Sequence, residues 1–406
     1  MTSRKMMWLL ALGVLALACV LTLTSVEARP KIVETIRLGP LGQGAGAVAI
    51  NPVTNRIYVA NADSDNIAVI DGETNSVLTV IPAGDWPMAV AVNPATNRVY
   101  TANIADNTVS VIDGATRRVI KTLSVGNQPT AVAVDSSRNR VYVTNWGSAS
   151  VSIIDGATDA VVGSVPAGEY PSGLAVNPSG NRLYASNLLN MSVSMIDLER
   201  GVIEATVQVG DHPTGQAIDP KANRVYVANL WSGSVSVIDG GTNIVIATIP
   251  VGEMPESLAI DVEDAHLYVS NRGDESVSAV DINSNTVLYT IDLKLRGSGL
   301  AVNDIANRIY VTAPFDNKLV VVEDPPAVVR TPTTTPAATQ TPVARASDIA
   351  VTPAPAPPLK PIIQPATGAG VGPEESGASE ALALGLALAG ATLGIGGWYA
   401  RRRWLR

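Results

Sequence analysis

Cysteine is almost absent from this chain of 406 residues: Cys19 is the only one, and it lies in the apolar leader. No disulfide can form within the exported part, and no thiolate metal site is available. Histidine is nearly as scarce. His212 and His266 are too few for a multi-histidine copper centre. Phenylalanine occurs once, at Phe315, and aromatic residues make up 4% of the chain. Basic charge is also short. The formal net charge is −8, although Arg4, Lys5, Arg401, Arg402, Arg403 and Arg406 all cluster at the two ends. An acidic body argues against electrostatic binding of nucleic acid, which needs a basic patch. No P-loop, G-x-S-x-G elbow or H-E-x-x-H motif is present. Asp63 and Asp65, or Asp274 and Glu275, could supply oxygen ligands to calcium, but no loop repeats a ligand pattern. The expectation is therefore no metal and no cofactor.

What the chain has in abundance is repetition. Tyr58, Tyr100, Tyr142, Tyr184, Tyr226, Tyr268 and Tyr310 are each 42 residues apart. Their neighbours repeat too: Asn55-Arg56-Ile57-Tyr58-Val59-Ala60-Asn61 returns in later copies, with His266 in place of Arg in the sixth. Thirteen residues after each Tyr comes an acid: Asp71, Asp113, Asp155, Asp197, Asp239, Asp281 and finally Glu323. Each unit holds four short apolar stretches rich in Val and Ile. In the second unit they are Met88–Val92, Arg98–Ala102, Thr108–Ile112 and Val119–Leu123. Runs of about five β-branched residues between Asn, Asp, Gly and Pro separators read as strands joined by tight turns. Four strands per unit of about 40–45 residues is the pattern of a β-propeller blade.

Two details support closure into a ring. Ala49, Ala91, Ala133, Ala175, Ala217, Ala259 and Ala301 are invariantly small, as are Ala47, Ala89, Ala131, Gly173, Gly215, Ser257 and Gly299. Small residues suit innermost strands that crowd a central axis. The seventh unit lacks a fourth strand, because Asp324-Pro325-Pro326 follows Glu323 and proline cannot donate to a ladder. Ile32-Val33-Glu34-Thr35-Ile36-Arg37-Leu38-Gly39 matches Val119 to Gly126 and predicts the missing outer strand, supplied from the N-terminus. The fold class expected is all-β, a seven-bladed propeller over residues 29–324.

The repeat resembles the YVTN β-propeller family of bacterial and archaeal surface and periplasmic proteins, and Tyr142-Val143-Thr144-Asn145 carries its signature. The resemblance spans residues 32–323. It implies the fold and a surface or periplasmic setting, but no particular ligand, since function resides in sites grafted onto the scaffold.

The ends speak to address. Residues 1–28 read as a signal peptide, with Arg4-Lys5, an apolar run and a small-residue cleavage site at Ala28. Residues 325–380 are a Pro/Thr/Ala-rich linker, stiff and extended. Residues 381–400 carry no charge and are long enough to cross a bilayer; the basic tail 401–406 should stay cytoplasmic. Gln364-Pro365-Ala366-Thr367-Gly368 before that span resembles a sortase sorting signal, with Gln364 where Leu is usual. The reading is an exported propeller on a stalk, anchored at the cell surface to membrane or wall.

Antiparallel topology divides the loops between two faces. On one, Asn51-Pro52-Val53-Thr54-Asn55 and Asp71-Gly72 recur with little change, and Arg56 stands where it can pair with Asp71. Uniformity points to turn geometry. On the other, the Gly-x-x-Pro loops and the loops between second and third strands vary. They hold Trp86, Trp146, Tyr170, His212, Trp231 and Phe315, which are read as an exposed surface for an extracellular protein or polysaccharide. The competing reading of these rings is that they cap blade ends and fill the channel mouth. Two other functions stay open: a lyase or hydrolase at the channel mouth near Asp211, His212 and Glu253, and an architectural envelope component. Catalytic motifs are missing, so the reading leans away from an enzyme.

Overall fold

The computed structural model describes residues 30–40 and 42–324. The leader, the linker, the apolar span, the basic tail and the sorting motif lie outside the described residues. Among the described residues, the strands form seven antiparallel sheets of four, six of them one repeat each. In the first blade the strands run from the axis outwards as Ala45–Asn51, Arg56–Asn61, Asn66–Asp71 and Val77–Pro82. The second-blade strands are Pro87–Asn93, Arg98–Asn103, Thr108–Asp113 and Arg118–Ser124, a residue or so longer at most ends than the apolar pattern implies.

The tyrosines lie between blades. Tyr58 is fully buried among Ala60, Ile67, Val69 and Ile81 of its own blade and Val90, Val99 and Ile112 of the next. Each ladder tyrosine pairs in register with one of the repeated alanines, Ala49 with Tyr58 and Ala91 with Tyr100 among them. The alanine therefore leaves room for the ring across the strand pair. Crowding at the axis falls two residues earlier. A Cβ on Gly173 would lie 1.9 Å from Thr214 O, and one on Gly299 would lie 2.3 Å from Gly46 O. Glycine is needed there because the neighbouring inner strand leaves no room for a side chain.

The ring closes as the sequence predicts. Lys31–Arg37 pairs antiparallel with Lys318–Glu323 and completes the seventh sheet. Ile36 and Leu38 pack with Ile57, Val59, Tyr310, Leu319 and Val321, joining the last blade to the first. Gly299 N–H donates to Gly46 O at 3.0 Å across the same junction.

The uniform face, here called lower, is built from turn chemistry. Asn51 Oδ1 accepts from Val53 N–H and Thr54 N–H, and Asn55 takes a left-handed φ of 51°. Asp71 Oδ1 does the same for Glu73 and Thr74. Asn side chains also link successive blades: Asn51 donates to Asn97, Asn93 to Asn139, Asn177 to Asn223, and Asn303 back to Asn55.

Candidate functional site

The variable loops share the upper face. Inter-blade loops of the Gly-x-x-Pro type are clamped by neighbouring mid-blade loops. Trp86 N–H donates to Asp65 Oδ1 and Asp85 N–H to Asp106 Oδ2, while Ile104 N–H donates to Trp86 O. The clamp recurs as Gln128 N–H to Asn107 Oδ1, Asp211 N–H to Ser232 Oγ, and Glu253 N–H to Asp274 Oδ1. It holds the residue before the proline in a left-handed conformation, with φ from 52° to 59° at Trp86, Gln128, Tyr170, His212 and Met254. Such angles are uncommon for bulky residues and persist where the surroundings over-determine them. The side chain varies from blade to blade while its backbone does not.

Burial corrects the sequence reading of these rings. Trp86, Trp146 and His212 are buried rather than exposed, and Tyr170 is half-buried. Trp146 packs on Tyr170 with ring centroids 4.8 Å apart, so this pair caps a blade end. Trp231 and Phe315 remain open, at 44% and 55% exposure. The cause is register within the mid-blade loop. Its first residue turns inward: Trp146, Leu188, Leu230 and Arg272 are all buried there. Its second turns outward: Asp63, Ala105, Gly147, Trp231, Gly273 and Phe315 are exposed there, and Leu189 is half-buried.

Trp231 lies on His212. The rings stack at 3.6 Å with 22° between their planes. His212 Nδ1 meets Asp211 Oδ1 at 2.6 Å, and its Nε2 is buried without a hydrogen-bond partner. The ring is thus covered by the indole and turned away from solvent. Gln216, the polar substitution in the inner strand, lies 2.6 Å from Ser186 Oγ of the preceding blade and acts as a blade-to-blade tie. Phe315 carries Arg296 over its ring, 5.9 Å from the centroid.

Two residues lie outside the candidate site set, although the sequence already places Arg272 in a variable upper loop. Arg272 Nε stands 3.3 Å from Glu256 Oε2, and both side chains are largely buried. Burial pushes the Glu256 carboxyl up, and the Arg272 charge opposes it. The signal was available: Arg272 occupies a position that is apolar in most blades, and Glu256 one held by Thr130, Ser172 and Thr214 elsewhere. Among the described residues, no group of three or more His, Cys, Asp or Glu is placed to share a metal ion.

The lower face carries the expected Arg–Asp pairs in three blades: Arg56–Asp71 at 3.0 Å, Arg98–Asp113, and Arg140–Asp155 at 2.6 Å. In three others the arginine reaches the next blade, where Arg182 donates to Gly240 O, Arg224 to Ile282 O and Arg308 to Gly72 O. The sixth blade replaces this bridge. His266 Nδ1 lies 3.3 Å from Asp324 Oδ2, and the Asp324 carboxylate also accepts from the hydroxyls of Tyr268 and Tyr289.

No protein family matches the chain, and no curated protein matches it. Among solved structures it is similar to Kuenenia stuttgartiensis hydrazine synthase, with 19% identity, a TM-score of 0.62, and coverage of 69% of this chain and 95% of that one. At such identity the likeness is one of architecture, and it sets the chain among seven-bladed β-propellers.

Proposed function

We propose that the chain is an exported propeller of the YVTN kind that acts as a non-enzymatic interaction module at the cell surface. A propeller suits protein interaction in general, because a rigid disc presents many loops on one face. The observation that carries the reading is the contrast between faces. The lower loops repeat the same turns, whereas the upper loops hold one backbone constant and vary its side chains, leaving Trp231 and Phe315 open. Exposed aromatic rings on rigid loops are favoured as binding hot spots because little entropy is lost on fixing them. The buried Trp86, Trp146 and His212 support that surface from beneath.

The test is binding by a Trp231→Ala/Phe315→Ala double variant against extracellular proteins and polysaccharides. Each ring at a hot spot is worth about 2 kcal/mol or more, so binding should fall at least tenfold while the melting temperature holds. Unchanged binding would remove the upper face from the proposal. Display at the surface has its own check, mass spectrometry of the mature C-terminus. A chain ending at Thr367 supports covalent attachment through the Gln364–Gly368 motif, and an intact apolar span supports retention in the membrane.

A further inference from the structure

Resting on the reading of the upper face as a binding surface, we propose that Trp231 is a docking platform for a lysine or arginine side chain of a protein partner. Its indole is covered on one side by His212, and its 44% exposure therefore belongs to the other face and edge. The platform is held before any ligand arrives. Leu230 N–H donates to His212 O at 3.0 Å, Trp231 N–H to Asp211 O at 3.2 Å, and Ser232 Oγ accepts from Asp211 N–H. Among aromatic rings, an indole face is the strongest site for a cation.

Charge selects the partner. Asp211, 39% exposed at its side chain, stands on the loop to one side of Trp231. Exposed Glu253 stands on the loop to the other, where Val251 N–H donates to Gly233 O and Gly252 O lies against Gly233. Glu169 and Asp274 extend this acidic arc across neighbouring upper loops. Arg272, on the mid-blade loop beyond Glu253, is 6% exposed and turned onto Glu256, and the exposed Arg296 of the sixth inter-blade loop lies over Phe315 and 3.8 Å from Glu275. An aromatic plane ringed by carboxylates attracts and steers a cation. The protein also contains the contact in miniature, with Arg296 over the ring of Phe315.

The test is fluorine NMR of the full chain carrying 5-fluorotryptophan, with the Trp231 signal assigned by its loss in Trp231→Phe. Three probes are titrated: a hexa-arginine peptide, a hexa-glutamate peptide and maltohexaose. The arginine peptide should shift the Trp231 signal and leave those of Trp86 and Trp146 in place. Its affinity should fall at least fivefold in Glu253→Gln, at least tenfold in Trp231→Ala, and steeply with added salt. A response to maltohexaose without one to the arginine peptide overturns the cationic partner and leaves the upper face as a binding surface. Silence of Trp231 to all three probes, or arginine-peptide binding undiminished in Trp231→Ala, overturns the platform. The wider reading then stands or falls on the double variant and its partner screen alone.

Discussion

A tyrosine ring at each blade junction is matched by an alanine on the adjacent strand, and this pairing repeats seven times. Tyr100 is fully buried opposite Ala91. Its hydroxyl has no hydrogen-bond partner, and burial pushes its pKa up to about 12. Tyr100→Ala should therefore cost about 3–5 kcal/mol as an aromatic cavity mutant. Tyr100→Phe removes only an unpaired polar atom and should change stability by less than about 1 kcal/mol. Urea melts of the two variants check this contrast. At the sixth junction the chemistry changes. The hydrogen bond with Asp324 raises the His266 pKa against the effect of burial. Burial works to raise Asp324, but its bonds with His266, Tyr268 and Tyr289 hold it lower. The histidine contribution is complete below its unfolded value near 6.5 and is lost as pH rises through the raised folded value. The aspartate contribution is present above 3.8 and is lost as pH falls through its lowered value. The pair is strongest between those limits. Thermal melts should show a fall in melting temperature above neutral pH that His266→Arg, which restores the repeat residue, removes. An identical alkaline fall in that variant would contradict the assignment. The 42-residue register, applied position by position, also separates inward Trp146 from outward Trp231. A plain inventory of aromatic residues on one face does not, because it ignores which side of a loop each ring leaves from.

The N-terminal strand is the element on which the ring depends. Ile36 and Leu38 are almost fully buried, and burying such a side chain is worth about 1.5–3 kcal/mol. Losing both, and exposing the edge of Lys318–Glu323, approaches the whole stability of a typical domain, about 5–15 kcal/mol. A chain lacking residues 30–39 should lose its single sharp melting transition in calorimetry, whereas closure by other means would leave it intact. This element was legible because its pattern copies Val119 to Gly126, a strand whose place in the blade is known. The lower-face arginines were legible only in part. Arg56, Arg98 and Arg140 pair within the blade as their strand positions imply. Arg182, Arg224 and Arg308 choose a carbonyl in the next blade, and no single repeat contains that partner.

Across the propeller, constancy and variation are sorted onto opposite faces. Lower loops are held by Asn and Asp side chains that recur from blade to blade, so substitutions there act on stability. Upper loops of the Gly-x-x-Pro type share a clamp and differ in what they present, so the proposed function predicts that substitutions there act on recognition. The buried Arg272–Glu256 pair and the His266–Asp324 bridge both involve the sixth blade, at its upper and lower ends. The most direct measurement of this division compares partner capture by two variants of the full chain displayed at equal density: Trp231→Ala/Phe315→Ala above, and Arg56→Gln/Arg98→Gln below. The account predicts at least a tenfold loss of binding for the upper variant at unchanged melting temperature. It predicts retained binding for the lower variant, with a lowered melting temperature. Binding lost from the lower variant and kept by the upper one would contradict it.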